Sequence, residues 1–159
     1  MAKAQLEAKP ELKTHSRLND SLNVQLANWS VLYFKLHHFH WYVKGPHFPV
    51  LHVKFEELYE LAALKLDELA ERILAIEGKP VSTMKEFLSL ATIKEADKAK
   101  SENDMLSATI ADLQLLVKGL EETATLAEEQ ADDAATADII TGQVEDLQKQ
   151  IWMLKSTLG

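Results

Sequence analysis

Five of the six histidines in this 159-residue chain fall between His37 and His52, and two acid-bearing pairs follow or overlap them. His52/Glu56 and Asp67/Glu71 are each spaced i,i+4, so each pair lies on one face of a helix and can grip a single ion. His40 closes the segment before the Gly45-Pro46 turn and His52 opens the one after it. If those two segments are antiparallel neighbours, the two imidazoles stand at a similar height. Carboxylates mixed with one or two imidazoles suit Fe(II), Mn(II) or Zn(II), whereas calcium prefers oxygen ligands.

The distance between the acid pairs carries more information. Glu56 and Asp67 are eleven residues apart, a rise of roughly 16 Å along one helix. They share a stripe, yet one metal centre cannot reach both in the same straight helix. Either the pairs are two unrelated half-sites, or a second copy of the helix runs antiparallel to the first. A two-fold axis would set His52/Glu56 of one subunit against Asp67/Glu71 of the other, giving two equivalent mixed sites per dimer. The spacing favours the shared site. Plainer readings stand beside it: Asp67 and Glu71 as an ordinary polar face near Lys65 and Arg72, and His15 and His47 as solvated side chains.

The elements that must position these residues are helical. The chain is 47% apolar with only five glycines and four prolines, and 159 residues suit one domain. Leu18, Leu22, Leu26, Trp29, Tyr33, Leu36 and His40 recur at steps of three and four, predicting a first helix over about 18–44. Gly45-Pro46 ends it. A second helix over about 49–77 carries Leu51, Phe55, Leu58, Ala62, Leu66, Leu69, Ile73 and Ile76 inward, with His52, Glu56, Ala63 and Asp67 on the adjoining stripe. Gly78-Lys79-Pro80 breaks it. Thr83 with Glu86 reads as a capping box opening a short helix, and Ser101 with Asp104 as another helix start. Met105, Leu106, Ile110, Leu113, Val117, Leu120 and Ala124 carry a third long helix to about 128; Gly119 weakens it or marks close packing. Ile140, Val144, Leu147, Ile151 and Leu154 carry a fourth over about 133–158. The fold expected is all-α: a four-helix bundle over 16–159, with a short helix in the long connection between helices two and three. Residues 1–15 read as a flexible tail whose Lys3, Lys9 and Lys13 are offset by Glu7 and Glu11.

Composition bounds the function. No apolar run reaches transmembrane length, and the first residues lack a basic segment followed by a hydrophobic one, which points to a cytoplasmic protein. The absence of cysteine removes disulfides and thiolate ligands. A formal charge of -8 opposes broad nucleic-acid affinity. No histidine follows His52 and no Glu-x-x-His motif occurs, so a di-iron centre inside a single bundle is disfavoured.

Over nearly its whole length the chain resembles the Dps family, the bacterial mini-ferritins (DNA-binding proteins from starved cells) of the ferritin-like superfamily. HWYVKGPHFPVLHVKFEELYE followed by LDELAERI carries the resemblance. It implies a ferroxidase site holding two irons between two-fold-related subunits, with His40, His52 and Glu56 from one and Asp67 and Glu71 from its neighbour. Glu56 stands where relatives often carry aspartate, and its longer arm leaves its contact open. The resemblance further implies a hollow dodecamer that oxidises Fe(II) to Fe(III), preferably with hydrogen peroxide, and stores ferric mineral against oxidative stress in the bacterial cytoplasm. Trp41, beside His40, is expected to quench stray one-electron oxidants, with core packing as its plain alternative; His37 is a supporting residue or simply a helix histidine. Glu121, Glu122, Glu128, Glu129, Asp132, Asp133 and Asp138 crowd the third junction, an acidic turn in the plain reading and cation entry pores in the family's, with Asp133 and Asp138 the candidates. The balanced tail and acidic body lead to an expectation of weak or absent DNA binding. Two other readings remain: a zinc or manganese buffer on the same site, and a non-enzymatic helical shell or DNA-associated structural protein.

Overall fold

The computed structural model describes residues 10–98 and 101–159, with side chains from residue 16 onward. Five α-helices follow one another: α1 (Pro10–Tyr42), α2 (Phe48–Ala75), the short α3 (Met84–Leu90), α4 (Glu102–Thr125) and α5 (Ala134–Leu158), with a π-helical turn at Leu126–Gln130 between the last two. No strand occurs among the described residues. The hairpins α1/α2 and α4/α5 pack into a four-helix bundle, and the chain crosses between them through α3, as the sequence leads one to expect. None of these helices is long and apolar enough to cross a membrane.

Local chemistry explains each boundary. The described part of α1 begins at Pro10, so residues 10–15 of the expected tail belong to α1, and residues 1–9 lie outside the described residues. Gly45 takes φ +134, and the Glu102 carboxylate lies where a Cβ would stand. That same carboxylate accepts from the His47 backbone N–H at 3.3 Å and meets His47 Nδ1 at 2.6 Å, clamping the α1/α2 turn onto the start of α4. Thr83 and Glu86 form the expected capping box. Ser101 accepts from the Asp104 N–H, and Asp133 from that of Thr136.

The core is continuous from Leu18 to Leu154. Leu22, Phe55, Leu69, Ile73, Leu120, Ile140 and Leu147 are fully buried, and Leu66, Ile76, Val117 and Ile151 pack against them. Polar side chains of α1 lie buried or half-buried beside it and hold the crossover. Asn28 Oδ1 accepts from the N–H groups of Thr92 and Ile93 at 2.8 and 3.1 Å. Asn23 accepts from Val81 N–H and donates to Lys79 C=O. Asn19 accepts from Lys79 N–H. Three amides along α1 thus pin down the crossover, whose backbone would otherwise lack partners. Gly119 is a close-packing position: a Cβ there would stand 2.7 Å from the buried Gln25 amide.

Candidate metal centre

The α1/α2 turn brings His40 and His52 face to face, ring centroids 3.7 Å apart and 18° from parallel. Each ring is held by the other residue's backbone. His40 Nδ1 lies 2.7 Å from the His52 carbonyl oxygen, and His52 Nδ1 lies 2.8 Å from that of His40. A carbonyl only accepts, so both Nδ1 atoms carry their hydrogen, and a neutral imidazole then presents its lone pair at Nε2. This fixing of the second nitrogen is what orients histidine ligands in metal sites. His40 is buried, with the Tyr59 ring edge-on at 5.3 Å, and Phe48 stacks on His52 at 5.0 Å.

Glu56 stands one turn beyond His52, half-buried, with no hydrogen bond or ion pair among the described residues. Asp67 and Glu71 are exposed and equally uncommitted. The cations that could have neutralised them turn elsewhere. Lys65 pairs with Asp146 at 2.7 Å; Arg72 pairs with Asp133 at 2.9 Å and donates to the Thr136 hydroxyl at 2.8 Å. Glu68 accepts from Gln143, a fully buried side chain that also accepts from Trp29 Nε1–H. Two free carboxylates therefore border a groove of about 510 Å³ between α2 and Ile139 of α5. Among the described residues, no three His, Asp or Glu side chains of one chain converge on a metal position. Two groups of candidate ligands result: two fixed imidazoles with Glu56, and, three turns on, Asp67 with Glu71. Their donor chemistry fits Fe(II).

Other residues singled out in the sequence take varied places. Trp41 is 65% exposed, outside the core, with His37 at 5.4 Å. His47 is exposed in its pairing with Glu102, and the His15 side chain lies outside those described. Asp133 points inward as the α5 cap. Burial works to raise its pKa, but the Thr136 hydroxyl and N–H and the Arg72 guanidinium outweigh it and hold the carboxyl below its ordinary value. Asp138, Asp132, Glu128 and Glu129 remain exposed.

Sequence reasoning passed over Tyr59. Its ring stacks on His37 at 3.7 Å and 17°, and Tyr33 packs edge-on to both. Partial burial and the neighbouring carboxylates of Glu56 and Glu60 push its phenol above the ordinary value. The available signal was its position seven residues after His52, on the ligand stripe.

Residues 19–159 match the family model of the ferritin-like domain. The chain is 48% identical over 138 residues to DNA protection during starvation protein 2 of Bacillus anthracis, covering 87% of this chain and 94% of that one. The crystal structure of a Dps protein from Bacillus brevis superposes with a TM-score of 0.90 at 45% identity, covering 92% of this chain and 98% of that one. The Dps protein of Vibrio cholerae O1, described as a member of a broad superfamily of ferritin-like diiron-carboxylate proteins, gives a TM-score of 0.88 at 31% identity over 92% of each chain. With that fold, and with such matches over most of its length, the chain belongs to the Dps family of ferritin-like proteins.

Proposed function

We propose that this protein takes up Fe(II) and oxidises it with hydrogen peroxide at sites shared between two-fold-related subunits. His40, His52 and Glu56 of one subunit hold iron together with Asp67 and Glu71 of its neighbour, and the ferric product is stored inside a closed shell of twelve copies. The observation that carries this reading is the reciprocal Nδ1 pairing of His40 and His52, which leaves both Nε2 lone pairs available to a metal. The two uncommitted carboxylates of Asp67 and Glu71, too far along α2 to join them in one chain, supply the complementary half.

The residues account for the chemistry as follows. Neutral imidazoles and carboxylates bind Fe(II), and the carboxylate charge favours the harder Fe(III) product. Two irons held together give peroxide its two electrons at once: the O–O bond breaks, two protons are taken up, two waters form, and no hydroxyl radical is released. Apolar Leu64 and Leu74, both more than half exposed on the same side of α2 as Asp67 and Glu71, supply surface for the neighbour to cover. The exposed acids around Leu126–Gln130 would concentrate Fe(II) near the shell's openings.

Anaerobic Fe(II) titration followed by peroxide, with iron oxidation and peroxide loss recorded together, tests the reading. Two Fe(II) oxidised per peroxide is expected in the parent, with at least a tenfold slower reaction in an Asp67→Ala/Glu71→Ala variant whose assembly is intact by light scattering. Unchanged kinetics in that variant would overturn the site.

A further inference from the structure

We propose that Glu102, in the first turn of α4, is a positioning residue for the iron site: its carboxylate sets the turn that aligns His40 with His52. This inference rests on the iron-site reading above. His40 lies before Gly45 and His52 after it, so the course of residues 43–47 fixes the register of one histidine against the other. Each ring depends on that register, because each is held by the other residue's carbonyl at 2.7 and 2.8 Å. A slip of about 1 Å along either helix would carry both contacts beyond the roughly 3.2 Å at which such bonds form. Both rings would come loose together.

Within the hairpin, little holds the turn. Val43 N–H donates to the Phe39 carbonyl and closes α1, and Phe48 N–H donates to the Gly45 carbonyl at 3.1 Å. α2 opens at His47 without a side-chain cap of its own. Glu102 supplies the missing hold from a distant part of the chain. Its Oε2 accepts from the His47 N–H at 3.3 Å. Its Oε1 lies 2.6 Å from His47 Nδ1, which donates because a carboxylate only accepts. Gly45 completes the fit: a Cβ there would stand 2.5 Å from Oε2, and φ +134 disfavours any other residue. From His47 the path to the ligands is short. The next residue is Phe48, whose ring stacks on His52 at 5.0 Å and 28°, and His52 stacks on His40 at 3.7 Å.

Steadying the first turn of α4 does not account for where this side chain goes. An acid is favoured at a helix N-terminus, yet Ser101 already caps α4 through the Asp104 N–H. Both Glu102 oxygens are given to His47 instead, with only 13% of the side chain exposed. Drawing a carboxylate out of water costs free energy, and the turn is what it secures. Through this one side chain, the packing of α4 reaches the two imidazoles.

Anaerobic Fe(II) titration calorimetry on the assembled full-length protein tests this, with assembly checked by light scattering. Glu102→Ala is expected to weaken Fe(II) binding about three- to tenfold, less than the ten- to hundredfold typical of a residue bonded directly to a ligand. Glu102→Gln keeps an oxygen for the His47 N–H and should recover most of that loss. The effect must also run through the histidines. Glu102→Ala should cost its full factor in an Asp67→Ala background and little in a His52→Ala one. Equal factors in both would show a general loosening of the fold and overturn the proposal, as would parent-like affinity in Glu102→Ala. If that variant fails to assemble, His47→Ala decides, since it removes an exposed ring and keeps the backbone N–H. Weaker binding there supports the clamp, and parent-like binding overturns it. A parent that binds no Fe(II) would overturn the iron-site reading and this inference with it.

Discussion

At the scale of single residues, the His40/His52 pair shows how a backbone can choose an imidazole's tautomer. In His52→Ala the His52 carbonyl remains to hold His40 Nδ1, so the fold and His40 should stay in place while one donor is lost. Fe(II) affinity should fall by roughly ten- to a hundredfold, read by anaerobic titration, with the circular dichroism unchanged; parent-like affinity would remove His52 from the site. Asp133 is the opposite kind of acid, engaged in the protein's own structure. A carboxyl held below its ordinary pKa contributes stability that is present above the unfolded pKa and lost as pH falls through the folded one. Asp133→Asn keeps a capping side chain but removes the charge facing Arg72, and should cost about 1 kcal/mol near pH 7. That cost should shrink as the pH drops below the ordinary carboxylate range. Thermal unfolding at several pH values measures it, and a pH-independent difference would contradict the account.

At the scale of elements, the crossover depends on α1 more than its length suggests. Asn28→Ala would leave the Thr92 and Ile93 N–H groups without their acceptor, and should cost about 2 kcal/mol. Hydrogen exchange should quicken at residues 92 and 93 first; exchange unchanged there would mean that the crossover is held by other means. Much of the architecture was legible because its signals are local. The Thr83/Glu86 box, the Ser101 cap and the three-four periodicity of Leu51 to Ile73 each lie within one or two turns of chain. The amide ladder was not, because Asn23 and Asn28 meet partners 56 to 65 residues away, and in sequence each is only a polar residue on an apolar face. The same holds for Gln143, whose partner Trp29 is 114 residues distant. The π-helical turn at Leu126–Gln130 has no sequence signature at all; it widens a helix whose residues would serve equally in an α-turn. Of the site, the meeting of His40 and His52 was legible because one short turn separates them. The freedom of Asp67 and Glu71 was not, since it depends on where Lys65 and Arg72 go.

At the scale of the whole molecule, charge decides what the outside of the proposed shell can hold. A formal charge of -8 is repeated in every copy, and at about 150 mM salt the Debye length is only about 8 Å. Contacts from a nearly balanced N-terminal segment are then opposed at close range by the body. Duplex DNA mixed with the assembled protein should run unshifted in a gel at that salt; a clear shift surviving it would show that residues 1–15 or another cationic patch outweigh the body. The same acidity favours the traffic proposed for the protein, drawing in small cations while turning away polyanions.

The mutual hold of His40 and His52 also sets an order of events in the life of each chain. Free histidine side chains in a newly made polypeptide exchange their hydrogen between the two ring nitrogens. Only when α1 folds back on α2 do the paired carbonyls settle the hydrogen on Nδ1 and leave the lone pair on the other nitrogen. In the site proposed above, half of the ligands thus come into place with the hairpin, and the other half would arrive with a second copy. On that proposal a lone, newly folded chain would have no finished grip on iron, and maturation would precede cargo.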